Sequence, residues 1–301
     1  MSADPLRPAP RFGVYFPQLN ASPADMERRV LAAEEHGFDS AWFLDHLSGP
    51  GLPEADCYEG WTTATFLAAK TSRIRLGHLV LCDAFRPAPL LAKMTATLDA
   101  LSGGRLELGL GWGSLPDELK TWGFGELPPA ERARHLVETL TVLRLLWSGG
   151  PVTYRGETVQ LDGAICRPRP VNGQIPIHIG GAGPKLTMPI VAEHADWWNC
   201  PSYAMDRWQE LRPLAGPRVR VATQRPVALV PSAARREEIA ATAQRRFGSW
   251  GGLIVADPDE LAARIVAERE QGVDMWVFQF TDFAQPETLE LFMREVAPAL
   301  A

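Results

Sequence analysis

Short apolar runs alternate with longer stretches of helical periodicity along the whole chain. Phe12–Phe16 is a β-rich run, and Ser22 followed by Pro23 opens a helix that extends to His36 and closes at Gly37. The order repeats with a strand over Ser40–Leu44 and a helix over Trp61–Lys70, a strand over Ile74–Leu81 and a helix over Pro89–Leu101, and a strand over Leu106–Leu110. A long helix over Pro129–Trp147 follows, in which Leu136, Leu140, Leu143 and Trp147 fall on one face. Residues 149–170 break the rhythm: Val152–Arg155 and Glu157–Leu161 flank Gly156 and read as a small hairpin-like insertion. The alternation resumes with strands at Ile177–Ile179, Trp197–Asn199, Val219–Val230 and Met275–Phe280. Helices are expected over Pro184–His194, around Met205–Leu211, over Ala234–Phe247 and Asp259–Gln271, and near Glu287–Val296.

Strands of mostly buried type separated by helices call for a parallel sheet covered on both faces. A single α/β domain over residues 1–301 is expected, a closed (β/α)8 TIM barrel with the hairpin as its insertion. An open doubly wound sheet is the competing architecture. Its dinucleotide fingerprint is missing, because Gly109-Leu-Gly111-Trp-Gly113-Ser114 has serine where the third glycine belongs.

Composition narrows the function classes. Hydrophobic residues at 46% and charged residues at 22% describe a folded globular chain. The 30 basic and 36 acidic residues give a net charge of −6, so no nucleic-acid partner is expected. No run approaches the roughly 18 apolar residues that a membrane helix needs. The segment Met1–Arg11 carries three prolines in place of an apolar signal core, so no membrane association is expected and the chain reads as cytoplasmic. Cys57, Cys82, Cys166 and Cys200 are widely spaced with no Cys-x-x-Cys pair, which predicts reduced thiols and no zinc cage.

Barrel enzymes place their chemistry where strands end and the following loops begin. Those positions here are Asp45-His46, Cys82-Asp83 with Phe85-Arg86, the Gly111-Trp-Gly-Ser114 turn, Gly180-Gly-Ala-Gly-Pro184 and Asn199-Cys200. His46 is the acid/base candidate, because imidazole changes protonation near neutral pH; a capping histidine is the competing reading. The turn beginning at Gly180 and Gly181 suits an anion such as phosphate at a helix start, or serves only the geometry of a tight turn. His78 and His194 read as packing or surface residues, and His178 stays open between an inward-facing and a packing role. No His-x-His, nucleophile elbow or P-loop occurs, so no metal site, serine hydrolase or nucleotide triphosphatase is expected. Phe16, Trp61, Trp112 and Trp198 lie in or beside strand ends, as do Trp42 and Trp122. Aromatic walls there would suit a flat ring, with ordinary core packing as the alternative.

The ordered set Phe38-Asp-Ser-Ala-Trp-Phe-Leu-Asp45-His46, Thr71-Ser-Arg-Ile-Arg-Leu-Gly77, Phe85-Arg-Pro-Ala-Pro-Leu-Leu-Ala-Lys93, Thr97-Leu-Asp-Ala-Leu-Ser-Gly-Gly-Arg105 and Ile175-Pro-Ile-His-Ile-Gly-Gly181 resembles the luciferase-like flavin and deazaflavin-dependent oxidoreductases over nearly the whole chain. Asp-His after strand two and Ser-Gly-Gly-Arg before strand four look most like the branch that uses coenzyme F420, a deazaflavin. The resemblance implies a barrel, usually a dimer, that transfers hydride between F420 and a small organic substrate. It implies His46 near the reacting ring and a non-proline cis peptide at Leu79-Val80 beneath it. Asp45, Leu79, Val80, Cys82, Gly111, Gly180 and Gly181 would contact the cofactor, with phosphate at the Gly180-Gly181 turn. Glu118 matches a glutamate common after strand four, and equally suits a surface position. Sugar-phosphate dehydrogenases of this branch carry tryptophan four residues after the histidine and glutamate just after the glycine turn. Pro50 and Ser114 stand there instead, so a sugar phosphate is not the expected substrate. The alternative is an FMN-dependent monooxygenase fed by a partner reductase, and a third reading is a non-catalytic flavin-binding relative.

Overall fold

The computed structural model of the chain describes residues 9–300, so the expected domain's first eight residues and Ala301 lie outside the described residues. Eight strands form a closed parallel barrel: β1 (Arg11–Tyr15), β2 (Ser40–Phe43), β3 (Arg75–His78), β4 (Leu106–Gly111), β5 (Ile177–Gly180), β6 (Trp197–Pro201), β7 (Arg220–Leu229) and β8 (Met275–Phe280). Each pairs with the next, and Arg11 opposite Met275 returns β8 to β1. The closed barrel, not the open sheet, is the architecture. Val152–Arg155 and Gln160–Ala164 pair antiparallel as the hairpin, whose second strand begins three residues later than the sequence pattern suggests.

Several local differences have physical causes. The third strand, expected as an unbroken run over Ile74–Leu81, stops at His78 and resumes at Leu81–Cys82 across a cis Leu79-Val80 peptide bond. The helix after β5 starts at Thr187 rather than Pro184, because Gly183 to Leu186 form a turn that gives the Gly183 carbonyl to the Thr187 amide. The stretch Ser202–Leu211 is a 3-10 turn running into one short helical turn, and Phe292–Val296 continues the closing helix as a π-turn. Ile254–Ala256 extends the sheet beside the end of β7, and after the helices α1 (Pro23–Glu35), α2 (Gly60–Ala68) and α3 (Ala88–Leu101) the residues Pro116–Thr121 form a short helix, α4; neither that strand nor α4 has enough periodicity to be marked in the sequence.

The interior is layered. At the amino-terminal end of the strands, buried Glu107 accepts hydrogen bonds from Arg11 (2.7 Å) and Arg75 (2.5 Å) and meets His178 Nε2 at 2.5 Å. Burial alone would raise the Glu107 carboxyl, but His178 and the two guanidinium groups outweigh it and hold the carboxyl well below the usual range. His178 thus faces inward in this buried network, away from the strand ends that carry chemistry. Above it, the Trp42 indole fills the barrel axis. A Cβ on Gly77 would lie 2.5 Å from that ring and one on Gly13 2.8 Å from its nitrogen, so the neighbours of β2 must be bare there. The second core, between barrel and helices, is lined by residues such as Phe12, Leu76, Leu108, Leu140 and Phe292.

The interruption of β3 needs space on both sides. The Val80 side chain lies against β4 and β5, where a Cβ on Gly111 would sit 2.7 Å from it and one on Gly180 3.0 Å; a Cβ on Gly109 would fall 1.8 Å from the His78 carbonyl. Gly109→Ala is therefore expected to lower stability by about 3 kcal/mol, measured by urea unfolding. Gly150→Ala, where nothing lies within 4 Å of the added methyl, should change it by less than about 1 kcal/mol.

Candidate functional site

A cavity of about 390 Å³ opens at the carboxyl-terminal ends of the strands. Its wall brings together Asp45, His46, Leu79, Val80, Cys82, Gly111, Trp112, Gly180 and Gly181 from four separate strand ends and loops. Leu79 and Val80, at the break in β3, give it an apolar surface, and Gly180 to Gly183 give it a stretch with only one methyl group, that of Ala182.

Phe16, Trp61 and Trp198, expected as pocket walls, lie outside this lining. Phe16 packs beneath the helices with its ring 6.4 Å from Phe43, because β1 turns that position outward. Trp61 stacks on the fully buried His78 at 5.7 Å. Trp198 is buried against Trp208 and donates its indole N–H to the Gly181 carbonyl at 2.8 Å, which supports the glycine turn from behind. Trp112 alone of the four reaches the cavity, its ring covered by the Arg132 guanidinium at 4.9 Å.

Asp45 and His46 are adjacent but differently engaged. The Asp45 carboxylate, 2% exposed, receives both arms of Arg86 at 2.8 Å and the Cys82 amide at 2.8 Å. Arg86 also binds Glu59, which caps helix Gly60–Ala68 by accepting from the amides of Trp61 and Thr62. His46, 27% exposed, places Nδ1 2.8 Å from Glu118 Oε2, and the other Glu118 oxygen accepts the Leu47 amide at 2.7 Å. Because a carboxylate can only accept, Nδ1 carries the proton in this pair. Nε2 is then left with a lone pair and no protein partner among the described residues.

Glu118 comes from α4, the helix that the sequence pattern did not mark, and it lines the cavity rather than the surface. Burial pushes its carboxyl up, but His46 and the amides of Leu47 and Ser48 prevail and hold it below its ordinary value. The thiols are quiet: burial pushes Cys82 up to about 12 and Cys57, beside the charges of Glu118 and Asp45, up to about 11, so neither supplies a nucleophile at neutral pH. Asn199 and Gln224 complete the wall on the β6–β7 side. The buried Asn199 Oδ1 has no hydrogen-bond partner among the described residues and is an acceptor awaiting a donor. Asn199 was visible at a strand end; Gln224 lies between Thr223 and Arg225 in β7, where nothing in the sequence singles it out. Together the site offers an apolar surface, a histidine held by a carboxylate, and a bare glycine turn.

A family model described as luciferase-like monooxygenase matches residues 10–271. The chain belongs to this family. It is similar to F420-dependent glucose-6-phosphate dehydrogenase 1 of Rhodococcus jostii (strain RHA1), 29% identical with 96% of this chain and 98% of that protein covered. Among solved structures, an F420-dependent secondary alcohol dehydrogenase in complex with an F420-acetone adduct superposes with a TM-score of 0.77 at 20% identity, covering 98% of this chain and 100% of that one. The EDTA monooxygenase of Chelativorans sp. BNC1 superposes with 0.82 at 14% identity, covering 97% and 94%. Both share the fold, and fold alone does not decide which chemistry this luciferase-like protein performs.

Glu118→Gln should leave the fold intact and lower turnover by roughly tenfold or more, since the amide holds the imidazole without favouring its charged form. Because Glu118 titrates below its ordinary value, the stability that its charge contributes is present above about pH 4 and lost as pH falls through its native pKa. The wild-type advantage over Glu118→Gln in thermal unfolding should therefore shrink toward zero with acidification, and an advantage constant with pH would contradict the charged pair.

Proposed function

We propose that this protein is an oxidoreductase transferring hydride between coenzyme F420 and a small organic substrate, with His46 as the catalytic acid/base. The near full-length similarity to an F420-dependent dehydrogenase carries the cofactor assignment. The structure fits such a group on three points: an apolar surface at Leu79-Val80 for a flat ring, a turn at Gly180-Gly181 open enough for a phosphate-bearing tail, and the unpartnered Asn199 Oδ1 for a hydroxyl or ring N–H. When bound, the deazaflavin supplies a two-electron hydride acceptor or donor.

The remaining work belongs to the chain's own residues. Leu79, Val80, Cys82 and Gly111 would form the bed of the ring. Asp45 acts through the bulge it holds, since its carboxylate is already taken by Arg86 and the Cys82 amide. His46 Nε2 accepts the proton of a substrate hydroxyl, or returns it in the reverse direction, and Glu118 stabilises the imidazolium. Trp112, flanked by Arg132, closes one side of the cavity.

The same reading takes the chain as a single barrel domain acting in the cytoplasm as a homodimer, with an F420 or flavin reductase able to recharge the cofactor. No helix among the described residues is long and apolar enough to cross a membrane. The FMN-dependent monooxygenase remains the competing reading on the strength of the family description.

Titration with oxidised F420 and with FMN, read by tryptophan fluorescence, separates them: F420 should quench at micromolar concentrations with FMN at least tenfold weaker, and the opposite order would favour the monooxygenase. His46→Ala should keep the F420 dissociation constant within about tenfold and lower turnover by roughly 10² or more, the scale of acid–base assistance; unchanged turnover would remove His46 from the mechanism.

A further inference from the structure

The geometry points to an uncharged, largely apolar alcohol, or the matching carbonyl compound, as the substrate, and excludes phosphorylated and other anionic ones; this rests on the F420 reading above. Among the described residues, no lysine or arginine lines the cavity. The cations near its wall are committed elsewhere: Arg225, next to Gln224, pairs with Glu268 at 2.9 Å, and Lys120, next to Leu119, pairs with Glu126 at 2.8 Å. Arg86 is held by Asp45 and Glu59. Arg132 donates to the Gly113 carbonyl at 2.9 Å and lies over Trp112. Lys185 faces the separate groove between helix Pro129–Trp147 and the hairpin.

The charges that do line the wall are the carboxylates of Asp45 and Glu118, and a protonated His46 is already neutralised by Glu118 at 2.8 Å. A phosphate or carboxylate entering here would lose its hydration with no free cation to replace it, since Arg86 and His46 are each already paired with a carboxylate. The bare amides of the glycine turn are no substitute, because the cofactor's own phosphate takes them under the same reading. What remains for the substrate is mostly apolar: Leu115 and Leu119 from α4 and its start, and Pro201 and Tyr203 after β6, with Ser114 and Gln224 as the polar side chains beside them. An apolar alcohol loses little on leaving water for that wall, and its one polar group meets His46.

The step balances with the cofactor as the only co-reactant. In oxidation, the carbinol C–H and the O–H bonds break and a C=O forms. The hydride passes to the oxidised deazaflavin and the proton to His46 Nε2; reduction of the carbonyl reverses each transfer.

The test uses protein saturated with oxidised F420, with saturation confirmed by tryptophan quenching. It is assayed with 2-propanol, cyclohexanol, 1-phenylethanol and glucose 6-phosphate, and in reverse with reduced F420 and the corresponding ketones. At least one uncharged pair should react with kcat/KM a hundredfold or more above glucose 6-phosphate, rising from 2-propanol to cyclohexanol, and Leu115→Arg should lower that value tenfold or more while the F420 dissociation constant stays within threefold. Comparable or faster turnover of glucose 6-phosphate, no turnover of any uncharged pair with F420 bound, or indifference to Leu115→Arg would overturn the substrate class while leaving the cofactor reading standing. Failure to bind F420 at all would overturn the cofactor reading and this inference with it.

Discussion

Three hydrogen bonds converge on the Asp45 carboxylate inside the mouth of the barrel, two from Arg86 and one from the Cys82 amide, and they tie the loop after β2 to the interruption in β3. Such a buried pair is a weak source of net stability, since desolvating both charges offsets most of their attraction, yet removing one partner leaves a stranded charge and costs about 3–5 kcal/mol. Its contribution is therefore positional. With Asp45 fixed, the next residue, His46, can only project from the wall of the cavity, and Glu118 meets it there from α4. The same clamp sets the height of Leu79 and Val80, which form the apolar surface.

The barrel interior changes character along its axis, and the change separates stability from chemistry. The lower layer is a closed ionic network around Glu107. The middle is the Trp42 indole wedged between Gly13 and Gly77. Only at the top do bare glycines, an unpartnered amide oxygen and a free imidazole nitrogen appear together. A site needs unsatisfied groups and empty volume, and both are tolerable where the layers beneath are tightly packed.

The barrel was legible because buried parallel strands are apolar without alternation and the helices between them keep a 3.6-residue period. All eight strands can be found that way. The break at Leu79-Val80 could not, since Ile74–Leu81 reads as one continuous apolar strand; only family resemblance pointed to that pair. Aromatic residues near strand ends were a poor guide to the cavity. Phe16, Trp61 and Trp198 pack into the core, and one residue of phase in a strand decides between the two faces. Glu118 was matched by resemblance but sits on a helix too short to show periodicity. Gln224 reaches the wall from the polar stretch Thr223-Gln224-Arg225 within β7, where local sequence carries no sign of direction.

The cavity supports direct hydride transfer to a deazaflavin rather than activation of oxygen. A single-turnover experiment tests it most directly: enzyme, oxidised F420 and an uncharged alcohol deuterated at the carbinol carbon, mixed with oxygen rigorously removed. Reduction of the cofactor without oxygen, slowed by a primary isotope effect and carrying the deuterium onto the deazaflavin, is the expected result. Substrate conversion that stops without oxygen and requires reduced FMN would contradict it.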